Sequence, residues 1–585
     1  MRVTLATQTA LSAMNGASLM ANNTCNFRVW APRAGQMKLR LVGGAEHAMT
    51  REAGGIFSLT VPAHAGDRYF YLPGGHKPVP DPVSRLLPEG VHGPTEIVDP
   101  GDFPWSDDSW RGLPLADYII YELHIGTFTP QGTFDGVIER LQYLKHELGI
   151  TVIELMPVAA FPGERNWGYD GVSPYAVQAS YGGPQGLRRL VNAAHQIGLG
   201  VILDVVYNHV GHEGNYLRTF APYFASRHQT PWGDAINYDS EGSENVRRYF
   251  VENALYWIRE YHLDGLRLDA IQTIQDDSER HILAEIQDEV QSLARQLGRT
   301  VCVIAETDEN DARLVRPRTS GGYELDAQWS DDFHHSVHAA LTGERQRYYQ
   351  DFGDLRQIVR ALNEGFVFQG EFFNYWEKVR GTSSAGLPME SHVICLQNHD
   401  QVGNRALGER WSQLVPIGLR KVAAALMLLA PHTPLLFMGE EYDEPAPFLY
   451  FTSYGDPALA RAVSEGRKKE FQDLAGIDAP DPQDEATFRR SRLHWDLAND
   501  ANEMLRWYRA LIDLRKRYVI PAERTCKAEL RGEHAILMQV PAREPRIQLL
   551  AEFVPSQRQW MPGKNSRLAL WNDEKECAVT VYTVA

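Results

Sequence analysis

Arg267 and Asp269 stand two residues apart in the run Gly-Leu-Arg-Leu-Asp-Ala, residues 265–270. The run reads as a short buried strand, and residues i and i+2 of a strand point to the same face. Charged side chains seldom sit inside a sheet or barrel without a partner or a task. Other polar residues close similar apolar runs: Asp204, Asn208 and His209 in "DVVYNH", Glu306 in "VCVIAE", His399 and Asp400 in "LQNHD". One such acid alone reads as a cap or a solvated strand end. Three acids from three strands, beside an arginine and two histidines, point to chemistry. Paired carboxylates without a metal-ligand cluster suit glycoside hydrolysis, in which one attacks the anomeric carbon and the other protonates the leaving oxygen and then activates water. In that scheme Arg267 holds Asp269 as the attacking carboxylate and Asp204 partners Arg267. Negative charge on Asp269 and Asp400 helps keep Glu306 protonated.

The elements that must position these residues are legible as alternating strands and helices from about residue 117. "YIIYELHI", "TVIELMPV", "GVILDVVYN", "DGLRLDA", "VCVIAE", "SHVICLQN" and "PLLFMG" read as strands, with a sixth strand expected before "QWSDDFHH". Amphipathic helical stretches lie between them, among them "PQGLRRLVNAAHQIG" and "SENVRRYFVENALYWIREY". Repeated β-then-α units imply a parallel sheet, and their number favours a closed (β/α)₈ barrel, whose active site lies at the carboxyl ends of the strands. No GxGxxG follows the first strand, which weakens a dinucleotide-binding reading. Short alternating runs such as "CNFRVWAP" and "GIFSLTVP" precede the barrel and predict an antiparallel β-sandwich. A Pro-rich connection, "HKPVPDPVSRLLPEGVHGP", crosses a surface between the two. The expected division is a loose tail at 1–22, an immunoglobulin-like sandwich at 23–113, the barrel at 114–521 and a small antiparallel β domain at 522–585.

A chain of 585 residues is long enough for several domains, and 43% hydrophobic with 23% charged residues is a globular composition. The formal net charge of −17 argues against nucleic acid or an anionic membrane as partner. No apolar run is long enough to span a bilayer, and the first twenty residues lack the apolar core of a signal peptide. Cys25, Cys302, Cys395, Cys526 and Cys577 show no CxxC spacing, so neither zinc nor a disulfide framework is expected, and a cytoplasmic location is. Cys302 and Cys395 read as core thiols.

The four segments "DVVYNH", "DGLRLDA", "IAE" and "LQNHDQ", in that order, resemble the four sequence regions of the α-amylase superfamily, glycoside hydrolase family 13. The resemblance implies a retaining mechanism on α-glucosidic bonds. Asp269 matches the nucleophile, Glu306 the acid/base and Asp400 the transition-state stabiliser. Arg267, His209, His399 and Tyr169 match residues around the sugar in the cleaved subsite. Leu268, Ala270, Gln272, Gln401 and Asn404 flank them and are expected to bind substrate. "FRVWAP" is similar to the N-terminal sandwich of branching and debranching members.

"YELHIGTFTPQGTF", "TPWGDAINYD", "QWSDDFHHSVH", "LQNHDQVGNR" and "FMGEEYDEPAPFLYFTSYGD" resemble a narrower group. Its members cut the α-1,4 bond beside a terminal trehalose. The expected partners are trehalose-capped maltooligosaccharides (maltooligosyltrehalose) and related α-glucan oligosaccharides, supplied by a maltooligosyltrehalose synthase. By this resemblance Asp331, Asp332, Phe333, His334 and His335 form a substrate-binding loop, with Phe333 as a sugar platform and Asp332 and His335 bonding sugar hydroxyls. Thr307 stands where the resemblance leads one to expect a second acid, which bears on the leaving-group side.

Blander readings compete at several positions. Asp331, Asp332, His334, His335 and His338 could hold a metal, with His334 and His338 on one helical face. No complete ligand pattern accompanies them, so no metal and no cofactor is expected. Trp167, Trp232, Trp329 and Trp376 fit packing as well as stacking on a sugar. The alternatives to a trehalose-releasing hydrolase are a glycogen-branching or debranching enzyme and, more distantly, a non-catalytic carbohydrate-binding protein.

Overall fold

Short apolar runs become the strands of a closed parallel barrel. They are β1 (Ile120–Leu123), β2 (Val152–Leu155), β3 (Gly200–Val205), β4 (Gly265–Leu268), β5 (Cys302–Ala305), β6 (Ala327–Trp329), β7 (His392–Cys395) and β8 (Thr433–Phe437). Each pairs with the next and β8 pairs back onto β1, so no edge is left open. This computed structural model describes residues 15–74, 76–554, 566–573 and 577–584.

Two-residue periodicity sorts each strand into an inner and an outer row. Ile120, Val152, Ile202, Ile304, Val393 and Leu435 pack together inside the barrel, with Cys302 and Cys395 among them as buried thiols. The same inner row continues, two residues on, as Glu122 on β1, Glu154 on β2, Asp204 on β3 and Glu306 after β5. The barrel interior is thus apolar at its amino end and charged at its carboxyl end. Residues of the outer row, such as Leu123, Leu155, Leu203 and Leu268, join the larger core under the surrounding helices.

The fold is multidomain. Before the barrel, two antiparallel sheets form the sandwich, one built on Thr24–Trp30 and Ile56–Pro62, the other on Met37–Leu41 and Arg68–Pro73. After it comes a five-stranded antiparallel sheet, from Lys527–Leu530 to Ala578–Val584. The Pro-rich connection is tied to the barrel helix Ser243–Glu260: Arg85 pairs with Glu260 at 2.7 Å, and the Tyr249 hydroxyl donates to the Pro82 carbonyl at 2.7 Å. Among the described residues no helix is long and apolar enough to cross a membrane.

The expected tail differs in part. Residues 1–14 lie outside the described residues, but Gly16–Met20 is a strand, paired antiparallel with Thr24–Trp30. Its small residues, Gly16, Ala17 and Ser18, and its weak alternation hide a strand that the neighbour's free edge recruits.

Gly265 opens β4 in the inner phase of Arg267. A Cβ there would come within 2.4 Å of the Cys302 carbonyl oxygen and 3.0 Å of Ile202. Neighbouring strand backbone cannot yield as a side chain can. Gly265→Ala is therefore expected to cost about 1–3 kcal/mol of stability, the usual price of overpacking. Denaturant titration checks this, and an unchanged midpoint would contradict it.

Candidate active site

The Arg267 guanidinium lies at the centre of the barrel's carboxyl end, 2% exposed. One nitrogen donates to Asp204 Oδ2 at 2.8 Å and to Asp269 Oδ1 at 2.7 Å; the other stands 3.4 Å from Glu306 Oε2. Its flat face lies 4.4 Å from the centre of the Trp329 ring. Asp269 is held on its other oxygen by the Asn208 amide at 3.0 Å. Both carboxylates of the expected pair are therefore gripped by one buried cation.

Glu306 has a further anchor: the Ala270 N–H donates to its Oε2 at 2.6 Å. Ala270 is in the left-handed region, φ 39°, ψ 51°. A non-glycine residue rarely adopts that conformation, and here it aims the amide at Glu306.

Above the pair, the Tyr169 hydroxyl donates to Asp204 Oδ2 at 2.6 Å and meets His399 Nε2 at 2.8 Å. The Tyr169 and His399 rings stack 5.2 Å apart. His209 stacks on the exposed Trp232 at 4.9 Å and contacts the Tyr169 carbonyl through Nε2 at 3.0 Å. Asp400 is exposed to the cleft and accepts from the Asn404 amide at 2.5 Å.

All of these groups but Asp204 and Asn208, which lie behind the wall, line one cavity of about 510 Å³, which also takes in Ala270, Gln272, Asp331, His335, Gln401 and Asn404. Burial pushes the Glu306 carboxyl well above the usual range; Arg267 opposes this, while Asp269, Asp331 and Asp400 add to it. Burial thus leads, ahead of the neighbouring charges that the sequence suggested. Burial also raises Asp204, to about 6 against the pull of Arg267, and Asp331, to about 7 with help from Asp308 and Asp400. His209 is lowered by burial.

Four expected binding residues do not reach the cavity. "DDFHH" is not a loop but the start of the helix Asp331–Thr342. On a helix, positions i and i+4 share a face. Asp331 and His335 share the cleft face, and the residues between them turn away. Phe333 is fully buried in the core. His334 is tied to the Leu396 carbonyl at 2.7 Å and to the Tyr349 hydroxyl at 2.9 Å. Asp332 accepts from the backbone of Val367 and Phe368 at 2.7 and 3.0 Å and pairs with Arg380 at 2.8 Å. Leu268 belongs to the outer row of β4 and packs in the surrounding core.

Other cleft residues carry no sequence signal or a faint one. Asp308 lines the cavity, two positions after Glu306, while Thr307 is buried and its hydroxyl accepts from the Glu309 N–H at 3.1 Å. An acid thus reaches the cleft one residue later than expected. Trp167, Trp232 and Trp329 border the cleft, as do Asp170, Tyr348 and Asn398. Tyr450 and Arg467 come from beyond β8; Tyr450 lies within "FMGEEYDEPAPFLYFTSYGD" without being singled out there, and no motif marks Arg467. Among the described residues one set of donors, His228, Asp239 and Asp277, lies close enough to hold an ion. Arg227 already pairs with Asp239 at 2.7 Å, so the set reads as an ion-pair cluster.

Comparison with known proteins agrees with this geometry. Residues 100–230 match the family described as alpha amylase, catalytic domain. The malto-oligosyltrehalose trehalohydrolase of Saccharolobus solfataricus is 49% identical over 504 residues, 86% of this chain and 87% of that one. The protein of the same name from Rhizobium sp. is 45% identical over 516 residues, 86% of each chain. A candidate alpha amylase of Salmonella typhimurium, known from its crystal structure, superposes with a TM-score of 0.89 at 40% identity, over 97% of this chain and 99% of that one.

The buried Asp332–Arg380 pair sets a prediction. Asp332→Ala strands the Arg380 cation in the core and should cost about 3–5 kcal/mol. Asp331→Asn, at the cleft surface, should cost far less. Denaturant titration of both variants decides, and equal losses would contradict the assignment.

Proposed function

This chain belongs to the malto-oligosyltrehalose trehalohydrolases of the α-amylase superfamily, and from that premise we propose how its residues do the work. The enzyme is a glycosidase that hydrolyses the α-1,4 bond next to the terminal trehalose of maltooligosyltrehalose and releases trehalose. The observation that carries the residue assignment is the single buried guanidinium of Arg267, which bridges Asp269 and Glu306.

Asp269 Oδ attacks the anomeric carbon, and the bond to the glycosidic oxygen breaks. Glu306, kept protonated by burial, gives its proton to that oxygen, and trehalose leaves. The glucan stays as an ester on Asp269. Glu306, now a carboxylate, takes a proton from water, which attacks the same carbon and frees the sugar with its α configuration. Asp400, open to the cleft, supports the developing positive charge on the ring.

The leaving-group side is the wall formed by Gln272, Asp308, Asp331 and His335. His335 is 4% exposed, lowered well below the ordinary imidazole range by burial, and neither of its ring nitrogens has a hydrogen-bond partner among the described residues. Trehalose has no reducing end, so a wall that bonds its hydroxyls penalises chains that lack them.

Cys25, Cys302, Cys395 and Cys526 are free thiols, which suits a reducing cytoplasm. The substrate implies an enzyme upstream that converts the reducing end of an α-glucan to trehalose, a maltooligosyltrehalose synthase.

Asp269→Asn is expected to lower turnover by several orders of magnitude with binding nearly intact, since the amide keeps the shape without the attack. Proton NMR should show the α-anomer first, and initial β-product would contradict the mechanism. Chromatography of products from capped and plain maltooligosaccharides should show trehalose from the former. A new α-1,6 branch would instead favour a branching enzyme. His335→Ala should narrow the preference for capped chains more than it lowers turnover on plain ones. The active form needs Glu306 protonated, so activity falls as pH rises through its raised pKa. Asp331 is one of the charges that raise it, so Asp331→Asn should move the alkaline limb of kcat/KM to lower pH.

A further inference from the structure

Glu122 stands on β1, is 1% exposed, and points into the barrel beneath His399. Its Oε2 accepts from the His399 backbone N–H at 2.9 Å, and its Oε1 meets His399 Nδ1 at 2.5 Å. No other side chain grips both the backbone and the ring of a cleft residue in this way among the described hydrogen bonds of the cleft.

The direction of each bond beyond it follows from the partners. Arg267 can only donate, and it donates to Asp204 Oδ2. The Tyr169 hydroxyl also donates to that oxygen, because its phenol keeps its proton through burial and the neighbouring Asp204 charge. Tyr169 oxygen must then accept from His399 Nε2. Nδ1 faces a carboxylate oxygen, so it carries a proton too. Both ring nitrogens of His399 are donors, which makes the ring an imidazolium.

We propose that Glu122 is the positioning residue of this site, locking His399 as a doubly protonated ring whose Nε2 faces the Tyr169 hydroxyl and the cleaved sugar. A bare imidazolium beside a developing oxocarbenium ion would oppose the reaction. Glu122 offsets that charge while the Nε2–H stays fixed on the Tyr169 oxygen, so that both rings are held in place against the sugar. The groups facing His399 are Glu122 on β1, His124 just after it, Tyr169, Asp204 on β3, Arg267 on β4 and Asp400 on its own segment. Burial lowers the His399 pKa and Arg267 opposes protonation, but the charge and hydrogen bond of Glu122, helped by Asp400, together outweigh them and the net direction is up.

Glu154 provides the control. It lies beside Glu122 on β2, in register with it. Its carboxyl is equally buried, raised well above the usual range by burial and by Glu122, and neither oxygen has a partner among the described residues. Burial pushes it toward the neutral acid, which an amide resembles, so Glu154→Gln changes little.

The activity arm rests on the hydrolase reading; the spectroscopic arm does not. Glu122→Gln is expected to lower kcat at least about tenfold, as loss of a carboxylate that orients a histidine does elsewhere. The alkaline limb reports whichever of Glu306 and His399 loses its proton first; without the Glu122 anion His399 becomes that group, so the limb should move down by about one unit or more. Glu154→Gln should leave kcat and the limb where they are. In ¹⁵N-histidine-labelled enzyme, the ring signal absent from His399→Gln should carry imidazolium shifts at pH 7. A neutral ring there overturns the proposal even if Glu122→Gln fails to fold. An unmoved limb in Glu122→Gln, or the same shift in Glu154→Gln, overturns it as well. Absence of trehalose release by the parent enzyme would overturn the hydrolase reading instead, and leaves the ring signal as the deciding result for His399.

Discussion

The carboxyl end of the barrel is organised around one buried cation. Arg267 is almost wholly removed from water, and an unpaired charge there would cost several kcal/mol. Three carboxylates, from β3, β4 and β5, meet it within 3.4 Å, and an indole covers its face. Arginine suits the place because its planar fork can serve several acceptors at once, where a lysine offers a single point of charge. The strands that deliver these groups are neighbours in the sheet, with Asp204 and Arg267 directly opposite in register. Barrel closure and ion pairing therefore depend on each other. A slip of one residue in β4 would turn Arg267 outward and leave Asp204 without its partner.

The inner row of the barrel makes that arrangement possible. Its lower part is apolar and close-packed, so the charged upper part rests on a rigid floor. Gly265 leaves room where β4 and β5 run closest. Just beyond β4 the backbone turns sharply at Ala270 into the left-handed region, so that its amide reaches Glu306. Such conformations cost about 1–3 kcal/mol and persist where the surroundings impose them. Here the imposing groups are the Arg267 network on one side and the Glu306 carboxylate on the other.

Legibility followed period and polarity. The inner-row phase makes Arg267, Asp269 and Glu306 stand out, because a charge in an apolar run is conspicuous. The same phase, applied strictly, excludes Leu268. Glu122 and Glu154 lie in equally apolar runs, "YELHI" and "VIELMP", yet read as strand residues because nothing near them in sequence suggests a partner. Their partners are far away: Glu122 meets His399, 277 positions later. Helix Asp331–Thr342 was obscured because its first turn is all polar or aromatic, which reads as loop chemistry. Tyr450 and Arg467 enter the cleft from beyond β8, and tertiary folding alone brings them there.

Charge balance explains why so many acids can share so small a space. Glu122, Glu154, Asp204, Asp269 and Glu306 crowd the barrel mouth, against Arg267 and His399. Burial pushes Glu154 and Glu306 toward the neutral acid. That leaves three carboxylates facing two cations, an excess of negative charge to which Asp400, open to the cleft, adds. Asp269 carries that excess where a glucosyl ring would acquire positive charge. Arg267 cannot move to cancel it, since it is fixed by Asp204 below. A site preorganised in this way need not reorient dipoles as the charge develops, which is the main source of electrostatic catalysis. The neutral acid and the charged nucleophile are thus two outcomes of one constraint. A buried guanidinium can satisfy only so many carboxylates, and burial pushes others around it toward the neutral acid.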